Sequence, residues 1–484
     1  MNNAGTGSDS DRVKDLTRNN EELSRLANEL NSGRRIISLN GLTSTSAAAF
    51  VLSETAAQIQ KPVVVVTDSN KDADQWECDL LFWSNSASRD PQTAIYSLPA
   101  YETEVSSGVS PHAETQERRA LTLWQIARQQ PKFLVLPAKS LVTRIASKQE
   151  ILALGARIKR DEDLPPDELV SKLIAAGYVR EDPIGNVGQF SVRGGIVDVW
   201  SPNSENPVRL EFFGDTIDSI REFDAETQLS KNQLTETDIL PMREFAASPQ
   251  DFRDWAFFAN ERFPGERFAR TLKDRTDFAD EGESFSGWEF LFPLVKPRTS
   301  NILDYAQDPV LVVDQPGLVD QTLSLFYDNL SSRFADIIEI GEVGLPPEEL
   351  FLEPEKIRDL IEPFQRIELR ALGKTSAEID EEFRFRDAES QPRATASGDF
   401  KSSPPVLGGV AAASADEVVK EQGSPAPLFL FPTAEKSFDL EILSRSTRKY
   451  RGNLKEFAAE FRSKKDSGTN LFVFQTSEIG RAHV

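Results

Sequence analysis

The stretch IISLNGLTSTSAAAF, residues 36 to 50, indicates the fold class of the chain. Its apolar start predicts a short strand, a loop begins at Gly41, and a helical pattern runs from about Ser46 to Gln58. The valine run at residues 63 to 66 predicts a second buried strand. Strands separated by helices form parallel sheets that are covered on both faces. The stretch therefore predicts an α/β domain.

The loop in this unit has the frame of a phosphate-binding loop without its chemistry. In a G-x-x-x-x-G-K-[ST] loop, backbone N–H groups and the lysine hold phosphate, and the hydroxyl holds Mg²⁺. Aligned on Gly41, the chain has Ser46 for the second glycine, Ala47 for the lysine and Ala48 for the hydroxyl residue. We expect no nucleotide or Mg²⁺ binding here, and we interpret Ala47 and Ala48 as helix formers in a first turn.

Composition and charge narrow the classes of protein to consider. At 484 residues the chain has room for about three domains. Its 78 acidic against 55 basic residues give a net charge of −23, which disfavours DNA binding across the whole surface and favours a protein–protein role. One cysteine, Cys78, and two distant histidines, His112 and His483, predict no disulfide framework and no metal catalysis. A polar N-terminus and the lack of a run of about 18 apolar residues predict a cytoplasmic protein without a membrane span.

Shifts in the sequence pattern predict five segments. From Gly188 the chain reads as short strands, with turn signals at 193–195, 201–207 and 214–215, which is typical of an antiparallel meander. The run PVLVVDQP at 309–316 returns to the parallel-sheet type of strand. We therefore predict an α/β domain in 1–148, an inserted α+β domain with an antiparallel sheet in 149–241, the α/β domain resumed in 242–386, a flexible linker in 387–427 and a small partial α/β domain in 428–484.

The strand predicted at 208–213 carries the candidate binding residues. Successive side chains of a strand point to opposite faces. Val208, Leu210 and Phe212 therefore lie on one face, where they can pack on a helix, and Arg209, Glu211 and Phe213 lie on the opposite face. Arg193, which precedes a Gly-Gly turn, can reach the same face if neighbouring strands pair. Arginine and aromatic residues are enriched at protein interfaces. Two plainer interpretations stay open at this point: an ion pair between Arg209 and Glu211, and Phe213 as a core ring.

A larger set of residues carries a family resemblance. It consists of Phe190, Arg193-Gly194-Gly195, Ile196, Asp198, Ser201-Pro202, Ser204-Glu205, Pro207, Arg209, Phe212-Phe213, Asp215, Ile217 and Arg221 to Asp224. This stretch resembles the second domain of bacterial transcription-repair coupling factors (Mfd), which is similar to the matching domain of the excision-repair helicase UvrB. LPAYET at 98–103 and SPHAETQERRALTLWQI at 110–126 also resemble this family, and the resemblance covers about residues 1–370.

The resemblance implies a RecA-like, UvrB-like domain whose degenerate loop persists as structure, in a module without a catalytic residue, cofactor or metal of its own. UvrB-type helicases keep the loop intact and carry a tyrosine-rich hairpin, whereas here only Tyr101 follows Leu98 before the next helix. By this resemblance Arg193, Arg209 and Phe213 contact UvrA, the damage-recognition ATPase. ATP and Mg²⁺ would belong to a C-terminal motor that the chain lacks, through which members of the family, as DNA translocases, contact RNA polymerase and DNA.

Two alternatives to a UvrA-recruiting adaptor stay open: a divergent UvrB-like ATPase or helicase, and a DNA-binding module. The first predicts saturable nucleotide binding, and the second predicts a duplex affinity that falls steeply with salt. The acidic pairs in DELV, 167–170, and DEEF, 380–383, follow no apolar strand, so we interpret them as solvated helix faces. The basic stretch RSTRKYRGNLK, 445–455, is interpreted as a solvated segment.

The final residues, EIGRAHV at 478–484, resemble the translation of a sequencing adapter from Ile479 onward. We hypothesise that the natural chain continues past this point and that His483 has no role. The raw sequencing reads test this hypothesis, because genuine genomic sequence after codon 478 would contradict it.

Overall fold

Seven parallel strands form the central sheet of the computed structural model, which describes residues 21–88, 94–370, 430, 431, 437–442, 444 and 459. Numbered in chain order, these strands are β1 (Ile36–Asn40), β2 (Val63–Thr67), β3 (Ile95–Ser97), β4 (Phe133–Pro137), β13 (Val310–Asp314), β14 (Gln365–Arg370) and β15 (Phe438–Glu441). They lie in the order β15-β1-β14-β13-β2-β4-β3. The predicted α/β domain is confirmed, and the run at 309–316 forms β13 in the middle of its sheet.

Helices cover both faces of the central sheet. They are α1 (residues 21–31), α2 (Thr45–Gln58), α3 (Asn70–Ser88), α4 (Ala113–Arg128), α5 (Ala138–Val142), α6 (Lys148–Leu154) and α11 (Pro316–Ile340). Because successive residues of a strand point to opposite faces, Val63 and Val65 pack in one apolar cluster with α1, α2 and α3. Val64 and Val66 pack in the other cluster, with α4, α5, α6 and α11.

Strand β15 brings a late segment of the chain to the edge of the central sheet. Phe438 lies opposite Ile37 and Leu440 opposite Leu39, in parallel register. The guanidinium of Arg25 lies 4.8 Å from the centre of the Phe438 ring. The sequence pattern assigned this segment to a small last domain, but its alternating apolar side chains complete the first sheet instead. Such a pairing cannot be anticipated from the pattern because the two strands are far apart in sequence.

A six-stranded sheet forms the inserted domain. Its strands are β6 (Val179–Arg180), β7 (Gln189–Arg193), β8 (Ile196–Val199), β9 (Val208–Phe213), β10 (Thr216–Phe223) and β11 (Ser230–Leu234). They lie side by side in chain order and pair antiparallel, except for the parallel pair β6 and β7. Helix α7 (Pro166–Ala175) packs Leu169 and Leu173 against one face of this sheet. The predicted antiparallel meander is confirmed.

A two-stranded ribbon joins the inserted domain to the α/β domain. It pairs β5 (Ala156–Lys159) with β12 (Glu236–Ile239), one before and one after the six-stranded sheet. Arg128 of α4 donates a hydrogen bond of 2.8 Å to Asp238 of β12. The Tyr178 hydroxyl donates one of 2.6 Å to the carbonyl oxygen of Leu240. These contacts hold the two ends of the inserted segment together and join it to the α/β domain.

A helical cluster that the sequence pattern did not reveal follows the insert. Its helices are α8 (Pro249–Arg262), α9 (Glu266–Asp280) and α10 (Trp288–Leu291), and two more, α12 (Pro347–Leu350) and α13 (Pro354–Ile361), precede β14. Aromatic rings fill the cluster, with Trp288 5.4 Å from Phe245 and 5.0 Å from Phe252. Buried Arg119 of α4 donates three hydrogen bonds to the Glu244 carboxylate, which ties this segment to the α/β domain.

Several predictions fall on parts of the chain outside the described residues: the linker at 387–427, DEEF, the basic stretch at 445–455 and the tail from residue 479. The chain divides into two units, Met1–Leu443 and Ser444–Val484, and the elements above belong to the first. The five segment boundaries stay predictions. Asp167 and Glu168 of DELV are exposed on α7, as expected. Across the described ranges, no helix combines the length and apolar character that crossing a membrane requires.

Candidate functional site

The candidate binding residues lie on one face of the inserted sheet, which we name the outer face. It is the face opposite α7 and carries Arg193, Asp198, Arg209, Glu211 and Phe213. The predicted alternation is confirmed for β9, because Val208 and Leu210 pack in the core with α7 while Arg209 and Glu211 point the other way. Pairing of β7, β8 and β9 brings Arg193 to the same face.

Asp198 of β8 is the centre of the outer face. The register of the sheet places it directly opposite Arg209 of β9. Arg209 grips both carboxylate oxygens, with Nε 2.7 Å from Oδ1 and Nη2 2.8 Å from Oδ2. Arg193 donates from Nη2 to Oδ2 at 2.8 Å. Two arginines therefore share one carboxylate, whose residue is only 1% exposed.

Arg209 is held on three sides. Besides Asp198, its Nη2 donates to Oε1 of Gln228 at 3.0 Å. Its guanidinium lies 4.4 Å from the ring centre of Phe223, which is fully buried beneath it. Its side chain is 18% exposed, whereas that of Arg193 is 46% exposed. Hydrogen bonding to the Asp198 carboxylate raises the pKa of Arg209, so this guanidinium stays charged over the whole physiological range.

Phe213 ends β9 with its ring in solvent, and the residue is 84% exposed. The alternative of a core ring is therefore wrong, and that role falls to the neighbouring Phe212, which packs against the inner core. Among the described residues, no hydrophobic cluster includes this ring, so packing within the protein does not account for it. It forms an apolar projection on the same face of the sheet as the arginines.

Glu211 does not pair with Arg209. It forms an ion pair with Arg221 of β10 and accepts a hydrogen bond of 2.8 Å from Ser219. These bonds, chiefly that of Arg221, lower the pKa of Glu211. The alternative of an Arg209–Glu211 ion pair is therefore wrong, because the antiparallel register offers each residue a closer partner on the neighbouring strand.

The Gly194-Gly195 turn sets the position of Arg193. Gly194 has a φ of +61°, a left-handed conformation that glycine adopts without strain. A Cβ on Gly195 would lie 3.0 Å from the carbonyl oxygen of Phe212, so the strands approach too closely for a side chain there. The tight turn places Arg193 at the end of β7, within reach of Asp198.

The degenerate loop at Gly41 is folded as a helix start. Ser44 caps α2 by accepting a hydrogen bond from the Ala47 N–H, and Ala47 and Ala48 lie in the first turn, as predicted. Ala48 is buried. Ser46 accepts a hydrogen bond of 3.1 Å from Nε1 of Trp83 on α3. The positions that would carry the lysine and the hydroxyl residue of a phosphate-binding loop thus pack within the protein.

Asp198 is the residue of this face that sequence reasoning did not single out. It lies in an apolar run, IVDVW, where one acidic residue between valines gives a detectable signal: a carboxylate in a strand that is otherwise buried needs a cationic partner. The sequence does not say which cation, because that depends on the pairing of β8 with β7 and β9.

Comparison with known proteins finds a protein family and relatives that match the part of the chain containing this site. The UvrB interaction domain family matches residues 156–245, which include α7 and the whole six-stranded sheet. The transcription-repair-coupling factor of Myxococcus xanthus is 30% identical over 371 residues, which are 75% of this chain and 31% of that protein. That of Haemophilus influenzae is 28% identical over 329 residues, 67% of this chain and 28% of the relative.

The chain is a homologue of the transcription-repair-coupling factors. The resemblance inferred from the sequence is confirmed. This coupling-factor homologue spans less than a third of the length of those two relatives, 31% and 28%. Its outer face lies entirely within the part that matches the UvrB interaction domain.

Proposed function

We propose that this chain is the non-catalytic, UvrA-recruiting module of a transcription-repair-coupling factor and that its outer face binds UvrA. The observation that carries the proposal is the exposed ring of Phe213 on the same sheet face as two arginines that share a buried carboxylate. These residues lie in a domain that matches the UvrB interaction domain.

The chemistry of the outer face suits a protein partner. A few aromatic and arginine side chains carry most of the binding energy of a typical interface, and they cluster near its centre. Phe213 offers apolar area that becomes buried on binding, and Arg193 offers charged N–H donors to acceptors of the partner. A partner with an apolar pocket beside a carboxylate would complement both.

The remaining activities belong, in this proposal, to other parts of the longer relatives. These relatives are named transcription-repair-coupling factors. Recruitment of UvrA by this chain would provide their link to repair. A C-terminal motor would bind ATP and Mg²⁺, move along DNA and contact RNA polymerase. The degenerate loop of this chain supports a non-catalytic role, because Ala47 and Ala48 offer phosphate and Mg²⁺ no ligand.

Calorimetric titration of UvrA with the purified chain tests the proposal. We expect saturable binding that is lost when Arg209→Ala and Phe213→Ala are combined. Phe257→Ala is the matched control, because Phe257 on α8 is also exposed, by 60%, but lies outside the inserted domain. The control should bind like the unchanged chain. Failure of the unchanged chain to bind UvrA would refute the proposal, and ATP and duplex DNA titrations would then decide between the remaining functions.

A further inference from the structure

The buried carboxylate of Asp198 carries an inference about how the outer face works. Its oxygens accept three hydrogen bonds of 2.7 to 2.8 Å, two from Arg209 and one from Arg193. A buried ion cluster of this kind is a weak source of stability, because desolvation of the charges offsets most of their attraction. Its value must therefore be sought in the geometry that it imposes on the arginines.

We propose that Asp198 is the positioning residue of the UvrA-binding site: it holds Arg193 ready for the partner, with Arg209 as a buttress that contacts the partner little. The inference rests on the function proposed above, and it departs from the resemblance, by which Arg209 also contacts UvrA. It divides the outer face into residues that meet UvrA, namely Arg193 and Phe213, and residues that hold them, namely Asp198 and Arg209.

The contacts of Arg209 support its role as a buttress. Its Nε and Nη2 are both bound to Asp198, Nη2 is also bound to Gln228, and one side of the guanidinium faces the Phe223 ring. With 18% of the side chain exposed, little of it is left for a partner. Truncation of Arg209 would act on binding mainly by loosening Asp198 and uncovering Phe223.

Arg193 is placed to meet a partner. Its side chain is 46% exposed, and its Nη2 is fixed by Asp198 while its Nε lies 3.6 Å from Oδ1 of Asp182. A free arginine at the end of a strand samples many rotamers, and ordering it on binding would cost affinity. Asp198 restricts these rotamers before the partner arrives, and the Gly194 turn fixes the backbone from which the side chain extends.

The test measures UvrA affinity of the full chain with Asp198→Asn, a change that keeps the size of the side chain and removes its charge. We expect the Kd for UvrA to rise by about tenfold or more, as for truncation of a central interface residue. Asp167→Asn is the matched control, because Asp167 is exposed on α7 on the opposite side of the sheet. The control should change the Kd by less than about twofold.

Two further measurements separate positioning from a general loss of structure. In a chain that already carries Arg193→Ala and Arg209→Ala, Asp198→Asn should change the Kd by less than about twofold, because it acts only through the two arginines. Hydrogen exchange at Nε of Arg209, followed by NMR in the free chain, should be slow in the unchanged protein. In Asp198→Asn it should be faster by about tenfold or more, because the N–H loses its ionised acceptor.

The outcomes distinguish this inference from the proposed function. If the unchanged chain does not bind UvrA, the proposed function fails and this inference fails with it. If the unchanged chain binds and Asp198→Asn binds equally well, only the positioning role is refuted. An undiminished effect of Asp198→Asn in the double-alanine background would also refute it, because Asp198 would then act without the arginines.

Discussion

The loop after β1 and the outer face of the inserted sheet handle polar chemistry in opposite ways. At the loop, the positions of the phosphate ligands are taken by Ser46, Ala47 and Ala48, which pack in or against the protein. On the outer face, the Asp198 carboxylate is bound by two arginines although the residue is 1% exposed. The loop keeps the backbone frame of a binding site without its ligand side chains, whereas the outer face presents charged and aromatic side chains.

The difference shows which of the two regions is the better candidate for a functional site. Uncharged packing at the loop stabilises the helix start. A buried carboxylate between two arginines is seldom the most stable filling for a sheet face, since apolar residues of similar volume often do as well or better. The outer face therefore points to recognition, and the loop to structure alone. The following variants test this contrast.

The largest effect should come from restoring the phosphate-binding residues at the loop. Ser46→Gly, Ala47→Lys and Ala48→Thr together should lower the free energy of unfolding by about 3 kcal/mol, from a glycine in a helix, the lost bond from Trp83 and an overfilled site at Ala48. Urea unfolding measures this loss, with Ala57→Lys on the exposed side of α2 as the control. Calorimetry should find no saturable ATP binding at millimolar levels by the unchanged chain. Saturable binding there would overturn the structural interpretation of the loop.

A smaller effect should separate the two neighbouring rings at the end of β9. Phe212 packs on the inner core and Phe213 is 84% exposed. Phe212→Ala should lower the free energy of unfolding by about 2 kcal/mol, less than for a fully buried ring. Phe213→Ala should change it by less than about 0.5 kcal/mol. Thermal or urea unfolding of both variants provides the comparison. Equal losses would mean that Phe213 serves the fold and would weaken its claim to a partner.

A still smaller effect is expected at Glu211, the second carboxylate of the outer face. Its ion pair with Arg221 is partly exposed, so Glu211→Gln should cost about 0.5 kcal/mol or less, and the cost should shrink in high salt. Unfolding at low and high ionic strength measures the difference. A salt-independent loss of several kcal/mol would show that Glu211, and not Asp198, organises this face.

The subtlest prediction concerns the turn that carries Gln228. Hydrogen bonds from the backbone N–H of Thr227 and then from Lys231 lower the pKa of Asp224 from 3.8 to about 2. The stabilisation is present above the unfolded pKa of 3.8 and is lost as the pH falls through about 2. An NMR titration of the Asp224 carboxyl in the folded chain checks this. Titration near 3.8 would show that the Asp224 carboxylate does not accept these hydrogen bonds in solution.

The sequence predicted on which face of the sheet the candidate residues lie better than it predicted their contacts. Alternation along β9 placed Arg209 and Phe213 on one face, because side-chain direction in a strand depends only on parity. It could not show that Asp198 joins Arg193 to Arg209, since that depends on strand pairing and on the length of the turns between strands. For the same reason the sequence left open an ion pair between Arg209 and Glu211, although Glu211 lies closer to Arg221.

The fold shows the same division between local and distant information. The strands and most helices of the α/β domain were predictable from local periodicity, including α4 and β13. The packing of the aromatic cluster around Trp255 and Trp288 was not, because apolar periodicity along α8 and α9 does not show which elements their apolar faces meet. The pairing of β15 with β1 could not be predicted, because a local sequence pattern does not identify a partner strand so far along the chain.

The place of β1 between two late strands has a consequence for the order of folding. Ile36 pairs with Arg366 and Ile37 pairs with Phe438, so β1 meets its neighbours only after most of the chain has been made. In the inserted sheet each neighbour is the next strand along the chain. Local contacts form faster, because closing a long loop loses more chain entropy. During synthesis the inserted sheet is therefore expected to form while β1 is still an unpaired edge, and a nascent chain would expose its binding face before the domain that carries it is complete.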